Sequence, residues 1–371
     1  RGSTCATLEA ILGAAGYKTG LYTSPHLLRY NERVRIAGKE ARDADLVAAF
    51  ERIDAVRGDI SLTYFEFGTL GAMAQFIDSG VDVAILEVGL GGRLDAVNVF
   101  DADAAIVSSV DLDHMEYLGD SREQIGFEKA GIYRSGRPAI CADPAPPASL
   151  LEHARDIGAD LRCVERDFFA LREDDHWTFR SADVTWPALP LPAMAGTYQL
   201  RNAAGALAAL AALRGRLPVN EAAIRTGLAT ARVPGRFQRI ACAPDVILDV
   251  AHNPEAARAL AATLRAQPVA GRTLAVVGML ADKDAAGVCA ALSDEIDAWW
   301  TCTPDSPRAR DAAALAAELR AQMGGASISV QPDVNRALAE ARSAAGEGDR
   351  ILVFGSFYTV AAVLDHAATQ Q

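Results

Sequence analysis

A carboxylate, three glycines, an arginine and a second carboxylate follow one another in Glu87-Val-Gly-Leu-Gly-Gly-Arg-Leu-Asp-Ala-Val-Asn98. The preceding run Val81-Asp-Val-Ala-Ile-Leu-Glu-Val88 reads as a buried strand, so Glu87 emerges at a strand's carboxyl end. In open α/β sheets that end faces the crevice where ligands bind. Gly89, Gly91 and Gly92 permit positive φ and let backbone amides approach a ligand closely. Arg93 and Asp95 add paired charges on the rim. A glycine-rich β–α turn is also an ordinary connection, so the weight rests on whether other strand ends repeat the pattern.

They do, with different chemistry. Lys18–Thr23 runs into Tyr22-Thr-Ser-Pro-His26, where Ser24 is held extended by the following proline and its hydroxyl can point into the crevice. The plain alternative is a turn. Ala104–Val110 runs into Asp111-Leu-Asp-His-Met115, whose acids and His114 could hold a divalent metal in alternation with Glu87; a satisfied surface histidine is the competing reading. Ser121-Arg-Glu-Gln124 matches a capping box and opens a helix that carries Lys129. That lysine either pairs with Glu128 or Glu123, or is desolvated near the crevice and reacts as a neutral amine. Val246-Ile-Leu-Asp-Val-Ala-His-Asn-Pro254 places Asp249, His252 and Asn253 at a further strand end. Thr273–Leu280 leads to Asp282-Lys-Asp284, and Arg350–Phe354 leads to Gly355-Ser-Phe-Tyr358. Polar clusters at so many strand ends, in two domains, point to an interdomain active site.

The elements that must position these groups alternate. Strand-like runs at Pro138–Ala142 and Trp299–Cys302 join those above, with helical stretches at Arg42–Val56, Glu66–Ser79, Arg201–Leu213, Pro254–Ala266 and Ala312–Gln322. Such alternation predicts parallel sheets with helical cover. Leu161–Trp186 is the exception and reads as a small antiparallel excursion. Proline and glycine in Arg232-Val-Pro-Gly-Arg-Phe237 mark a linker, so residues 1–235 are expected to form one α/β domain and 236–371 a smaller one. Leu8, Ile11, Leu12 and Ala15 give a helical stripe directly after Arg1-Gly-Ser-Thr-Cys5, so the chain opens at a loop-to-helix junction and is expected to lack its first strand.

Composition narrows the function classes. A formal net charge of −12 over 371 residues argues against nonspecific binding to nucleic acid or an anionic membrane. An anionic substrate would then need a local basic or metal-filled pocket. The six cysteines are scattered without a C-x-x-C pair, which suits reduced cytosolic thiols better than disulfides or zinc. Neither a signal peptide nor a membrane-length apolar run is recognisable, so a cytoplasmic protein is expected; a monomer is expected separately.

Taken together, Tyr-Thr-Ser-Pro-His, Glu-Val-Gly-Leu-Gly-Gly-Arg-Leu-Asp, Asp-x-Asp-His, Glu-Lys-Ala-Gly-Ile and Asp-x-Ala-His-Asn resemble the folylpolyglutamate synthase/dihydrofolate synthase family, within the wider Mur-ligase-like ATP-dependent amide ligases. The likeness covers nearly the whole chain. It implies a P-loop-type ATPase domain that also binds the pterin, followed by a Rossmann-like glutamate-ligase domain. The implied reaction joins L-glutamate to dihydropteroate, and to reduced folates, through an acyl phosphate formed from ATP. By resemblance, Ser24 and Glu87 would hold one Mg²⁺ and His114 would help hold a second. Lys129 aligns with a lysine that the family carbamylates, which would make it a further metal ligand. Asp95 matches the family's pterin-contacting acid, with Arg93 beside it. Gly2, Ser3, Asn202 and Asp249 would bear on the nucleotide, Arg236 and His252 on phosphates and incoming glutamate, and Ser356 on the glutamate pocket.

Two departures matter. The family's phosphate loop reads Gly-Thr-Asn-Gly-Lys-Gly-Ser, whereas here only Gly2-Ser3 match and Arg1 stands where the lysine belongs. An N-terminally truncated chain with weakened ATP binding is therefore expected. Val250 replaces a usual glycine beside Asp249, which should restrict the backbone there. Two alternatives stay open: a ligase confined to folate polyglutamylation, and a noncatalytic fragment. A P-loop small-molecule kinase fits poorly with the second domain's Asp-x-Ala-His-Asn cluster.

Overall fold

The structure is a computed structural model that describes residues 1–112 and 115–369. The chain divides into two compact units, Arg1–Ala193 with Gln199–Arg232, and Met194–Tyr198 with Val233–Gln371.

The first unit opens with α1 (Gly2–Ala14), β1 (Thr19–Tyr22), β2 (Val34–Ile36), β3 (Lys39–Glu40), α2 (Asp43–Arg57), α3 (Tyr64–Ser79) and β4 (Val83–Leu86). It continues through β5 (Ala105–Val107), α4 (Met115–Leu118), α5 (Arg122–Ala130), β6 (Pro138–Cys141), α6 (Ala148–Asp156) and β7 (Asp160–Cys163). A hairpin series β8 (Phe168–Arg172), β9 (His176–Ser181) and β10 (Thr185–Pro190) precedes α7 (Thr197–Leu213) and α8 (Glu221–Thr230). Three sheets result. One has the order β3-β2-β1-β4, with β1 and β4 parallel and β2 antiparallel to β1. The second, β5-β6-β7, is all parallel, and the third, β10-β9-β8, is the antiparallel excursion read from the sequence. The edge strands β4 and β5 belong to different sheets and both line a cavity of about 500 Å³, together with Leu8, Leu12, Val97 and Leu210.

The core of this unit gathers around α7. Ala203, Ala204 and Leu207 pack with Ile11 and Leu12 of α1, Leu21 of β1 and Ile140 of β6, all almost fully buried. Small residues on α7 let the helix lie close to its neighbours. The same device brings α8 onto α1: a Cβ at Gly227 would lie 2.5 Å from the Ile11 nitrogen and 2.6 Å from its Cα. Backbone atoms cannot yield as a side chain would. Gly227→Ala is therefore expected to destabilise the protein by about 2–3 kcal/mol, read as a lowered urea midpoint at unchanged m-value. A midpoint equal to wild type would show that α8 can shift freely.

The second unit holds β11 (Gln238–Cys242), β12 (Asp245–Asp249), α9 (Pro254–Ala266), β13 (Thr273–Val277), α10 (Ala285–Leu292), β14 (Ala298–Cys302), α11 (Ala312–Gln322), β15 (Ser327–Gln331), α12 (Val334–Ala344), β16 (Arg350–Phe354) and α13 (Phe357–Thr369). They form one six-stranded sheet, β11-β12-β16-β13-β14-β15, parallel except for β11. Every residue of β13 and β16 is buried, as expected of central parallel strands covered on both faces.

Helices Pro254–Ala266 and Ala312–Gln322 coincide with the sequence expectation. Asn253 caps the first, its side chain accepting from the Ala256 amide at 2.9 Å, with Pro254 at the first turn. Strands end earlier than their apolar runs. Ala104–Val110 shrinks to Ala105–Val107 because side chains, not a neighbouring strand, take the next polar groups: the Val110 amide donates to Asp143 at 2.7 Å, and the Ser109 carbonyl accepts from Lys129 at 2.7 Å. The predicted capping box at Ser121 is half formed. Ser121 accepts from the Gln124 amide at 3.3 Å, but the Gln124 side chain instead accepts from the Asp120 amide at 2.8 Å.

Candidate active site

In the first unit the carboxyl ends of β1 and β4 meet the amino end of α1. Gly2 and Ser3 open that helix, whose unpaired amides and dipole suit an anion. Arg1 ties the helix start to the β4 loop, donating to the Val88 and Gly89 carbonyls at 3.0 and 2.9 Å. Glu87 is only 8% exposed, and its Oε2 accepts from the Ser24 amide at 3.2 Å. A Cβ at Gly2 would stand 3.6 Å from Glu87 Oε1, so helix start, carboxylate and Ser24 are immediate neighbours. Carboxylate and hydroxyl oxygens are the donors Mg²⁺ prefers, and they fit that ion. Among the described residues no three His, Cys, Asp or Glu side chains converge. Nearby Cys5 is inert: burial, reinforced by Glu87, pushes its thiol up to about 12.

The glycine-rich loop is organised by Asp95. Its Oδ2 accepts from the Gly89 and Leu90 amides at 3.0 and 2.9 Å, and Oδ1 from Val97 at 3.1 Å. Burial raises the carboxyl's pKa, while these amides and Arg1 pull it down. Oδ2 is thereby saturated, and Oδ1 keeps one lone pair for a ligand's donor. The loop is also clasped to α5. Arg93 forks onto Glu128, with Nη2 to Oε1 at 2.9 Å, and its guanidinium lies 5.8 Å from the Phe127 ring. A Cβ at Gly92 would fall 2.9 Å from the Glu128 carbonyl and 3.0 Å from that of Lys129, so only glycine permits this approach.

In the second unit Asp249 ends β12, 4% exposed, accepting from the Phe237 and Ala251 amides, both at 2.8 Å. Burial raises its pKa, opposed by Arg236 and by those two amides. The contact holds Phe237 at φ 44°, an uncommon value for a residue with a Cβ. Val250 takes no positive φ, so a residue with a Cβ is accommodated there; its amide donates to the Gly235 carbonyl at 2.9 Å. The Val250 carbonyl lies 2.8 Å from His252 Nδ1, and the imidazole stands 5.9 Å from the Phe357 ring. Ser356 is 2% exposed and caps α13, accepting from the Thr359 amide at 3.0 Å. Thr359 in turn donates to the Gly278 carbonyl at 2.7 Å, so Ser356 braces β16 against the end of β13.

The first unit thus brings together Gly2, Ser3, Ser24, Glu87, Arg93 and Asp95. Lys129 joins through α5, whose backbone packs against the glycine-rich loop at Gly92. Asn202 joins through a residue that motif reading missed: buried Gln199 donates to Ser3 Oγ at 3.2 Å and accepts from Asn202 at 3.0 Å. Asp249, Arg236, His252 and Ser356 cluster at the strand ends of the second unit. His114 lies outside the described residues. Also missed was Arg33, 9% exposed, donating from Nε to His26 Nδ1 at 2.8 Å, its guanidinium 5.4 Å from the Tyr64 ring. Burial and Arg33 together lower the His26 pKa. Nothing in the spacing of these residues signalled the cluster.

Comparison with known proteins fits this geometry. Residues 235–357 match the family described as Mur ligase, glutamate ligase domain. That match places the second unit among the glutamate-ligase domains of Mur ligases. The dihydrofolate synthase/folylpolyglutamate synthase of Escherichia coli is 48% identical over 367 residues, 98% of this chain and 84% of its own length. The Haemophilus influenzae protein of the same name is 38% identical, covering 97% and 85%. The chain belongs to the dihydrofolate synthase/folylpolyglutamate synthase family. The solved structure of E. coli FolC with DHPP and ADP superposes with a TM-score of 0.94 at 47% identity, over 100% of this chain and 86% of that one. A solved bifunctional folylpolyglutamate synthase/dihydrofolate synthase with Mn, AMPPNP and L-glutamate bound gives 0.91 at 46%, over 100% and 87%.

Proposed function

We propose that this chain ligates L-glutamate to dihydropteroate, and to reduced folates, at the cost of ATP. The substrate carboxylate attacks the γ-phosphorus of ATP, releasing ADP and leaving an acyl phosphate. The glutamate amine then attacks the activated carbonyl, phosphate departs, and the amine gives up a proton. Carboxylate and triphosphate repel one another, so the first step needs screening. Glu87 and Ser24 are the residues that would hold Mg²⁺, with His114 and Lys129 as further ligands; the ion supplies charge neutralisation. The amino end of α1 receives phosphate, and the Ser3–Gln199–Asn202 relay keeps that end in place. Asp95 offers its remaining Oδ1 lone pair to a ring N–H of a pterin, with Arg93 stiffening the loop. Asp249, Arg236, His252 and Ser356 form the glutamate-ligase part of the machinery, and we take residues 1–235 and 236–371 as the two functional domains.

The observation that carries the reading is the meeting of Gly2, Ser24 and Glu87 beside a loop folded around Asp95. Use of ATP and six free cysteines support a cytoplasmic location; no described helix is long and apolar enough to cross a membrane. The test is ADP release by the full-length gene product with Mg²⁺, ATP and glutamate, comparing dihydropteroate with tetrahydrofolate. Release with both supports the dual activity. Release with tetrahydrofolate alone restricts the enzyme to polyglutamylation, and release with neither ends the ligase reading.

A further inference from the structure

The end of β5 carries a clamp that no assigned role explains. Asp143, 5% exposed and just beyond β6, accepts from the Val110 amide at 2.7 Å and the Ala145 amide at 2.8 Å. Arg122, the first residue of α5, reaches the same place: its Nε donates to the Val110 carbonyl at 2.9 Å, and Nη2 to the Ala145 carbonyl at 2.8 Å and to Asp143 at 3.4 Å. Both backbone groups of Val110, a buried residue past the last strand pairing, are therefore held by charged side chains. Two turns along the same helix, Lys129 donates to the adjacent Ser109 carbonyl at 2.7 Å. Arg122 and Lys129 thus grip consecutive carbonyls of one segment, which continues through Asp111 toward His114.

We propose that Asp143 and Arg122 are positioning residues for the divalent-metal centre, fixing the Ser109–Asp111 backbone and through it the Lys129 amine. This rests on the metal-dependent ligase reading above. Partners that orient a metal's ligands commonly change affinity by about 10- to 100-fold when removed. Asp143→Asn keeps the shape but points an amide donor at a backbone amide, so the clamp fails on one side. Arg122→Lys, at a half-exposed position, keeps the charge and loses the fork.

The experiment is Mn²⁺ binding in the presence of a nonhydrolysable ATP analogue, followed by electron paramagnetic resonance, with thermal midpoints measured alongside. Asp167→Asn is the control, because Asp167 likewise accepts a backbone amide, that of Cys163 at 2.7 Å, but at the end of β7. Asp143→Asn and Arg122→Lys are expected to weaken Mn²⁺ about tenfold or more, while Asp167→Asn stays within about twofold of wild type. If both clamp variants lose thermal stability as the control does but bind Mn²⁺ like wild type, the clamp is structural only and the proposal is wrong. Should Asp143→Asn not fold, Arg122→Lys decides alone. Wild-type protein that holds Mn²⁺ yet forms no ADP ends the ligase assignment while the metal titration still judges the clamp. Wild-type protein that binds no Mn²⁺ overturns the clamp proposal.

Discussion

Glu87→Gln is expected to lower kcat/KM for ADP formation by about a hundred- to a thousandfold, with little change in thermal stability. The amide keeps the shape of the side chain and one oxygen to accept the Ser24 amide, a contact of 3.2 Å in the native protein. What disappears is the negative charge beside the helix start. That charge is the main reason a divalent cation would settle there, and the cation is what lets a carboxylate approach a triphosphate. The loss should appear first as a raised half-saturating Mg²⁺ concentration, and excess Mg²⁺ should recover part of the rate. A variant with wild-type Mg²⁺ dependence would remove Glu87 from the metal centre. The residue is almost fully buried, so an amide of the same shape is also easier to desolvate than the carboxylate.

That Glu87 was visible in the sequence at all follows from strand periodicity. An apolar run that ends in an acid and a glycine cluster delivers a carboxylate to the rim of a sheet, and the same logic put Ser24, Asp249 and His252 at strand ends, whereas Lys129 was singled out on a helix. What stayed hidden depends on contacts remote in sequence. Asp143 reads as an ordinary acid before a proline, and its partners Val110 and Arg122 lie 33 and 21 positions away. Gln199 looks like any polar residue near a helix start, yet its partner Ser3 is 196 positions distant. The β2–β3 hairpin was missed for a local reason. Its turn places both Ala37 and Gly38 at positive φ, 50° and 76°, where Asn-Gly or Asp-Gly would be the recognisable signal. Without that hairpin, Arg33 could not be seen to pair its backbone with Thr23, next to Ser24.

Some side chains singled out by motif also have local partners. Arg93 is held by Glu128, and Ser356 caps a helix. The glycine-rich loop also acts on α5, since Gly92 touches the backbone carbonyls of Glu128 and Lys129. Loop, helix and strand end form one mechanical unit on which Lys129 is mounted.

Lys129→Met is accordingly expected to cut ADP formation by about a hundredfold or more. Methionine replaces the stem but not the amine, so the apolar packing of α5 survives while the donor to Ser109, at 2.7 Å, is lost. The chemistry that the family resemblance implies for this amine is carbamylation. A neutral amine adds carbon dioxide, an N–C bond forms and one proton leaves; the remaining N–H can still donate to the Ser109 carbonyl. The cation thereby becomes an oxygen ligand of the kind Mg²⁺ prefers. Wild-type protein dialysed into carbon-dioxide-free buffer should lose activity and regain it with bicarbonate, and ¹³C-labelled bicarbonate should give a carbamate resonance that Lys129→Met lacks. In Lys129→Ala, where the side chain leaves space, formate or acetate should restore part of the rate by supplying the missing carboxylate. Bicarbonate-independent wild-type activity with no such resonance would leave Lys129 acting as an unmodified cation. A Lys129→Met protein as active as wild type would take the lysine out of the reaction, and the grip of α5 on the β5 end would then serve the fold alone.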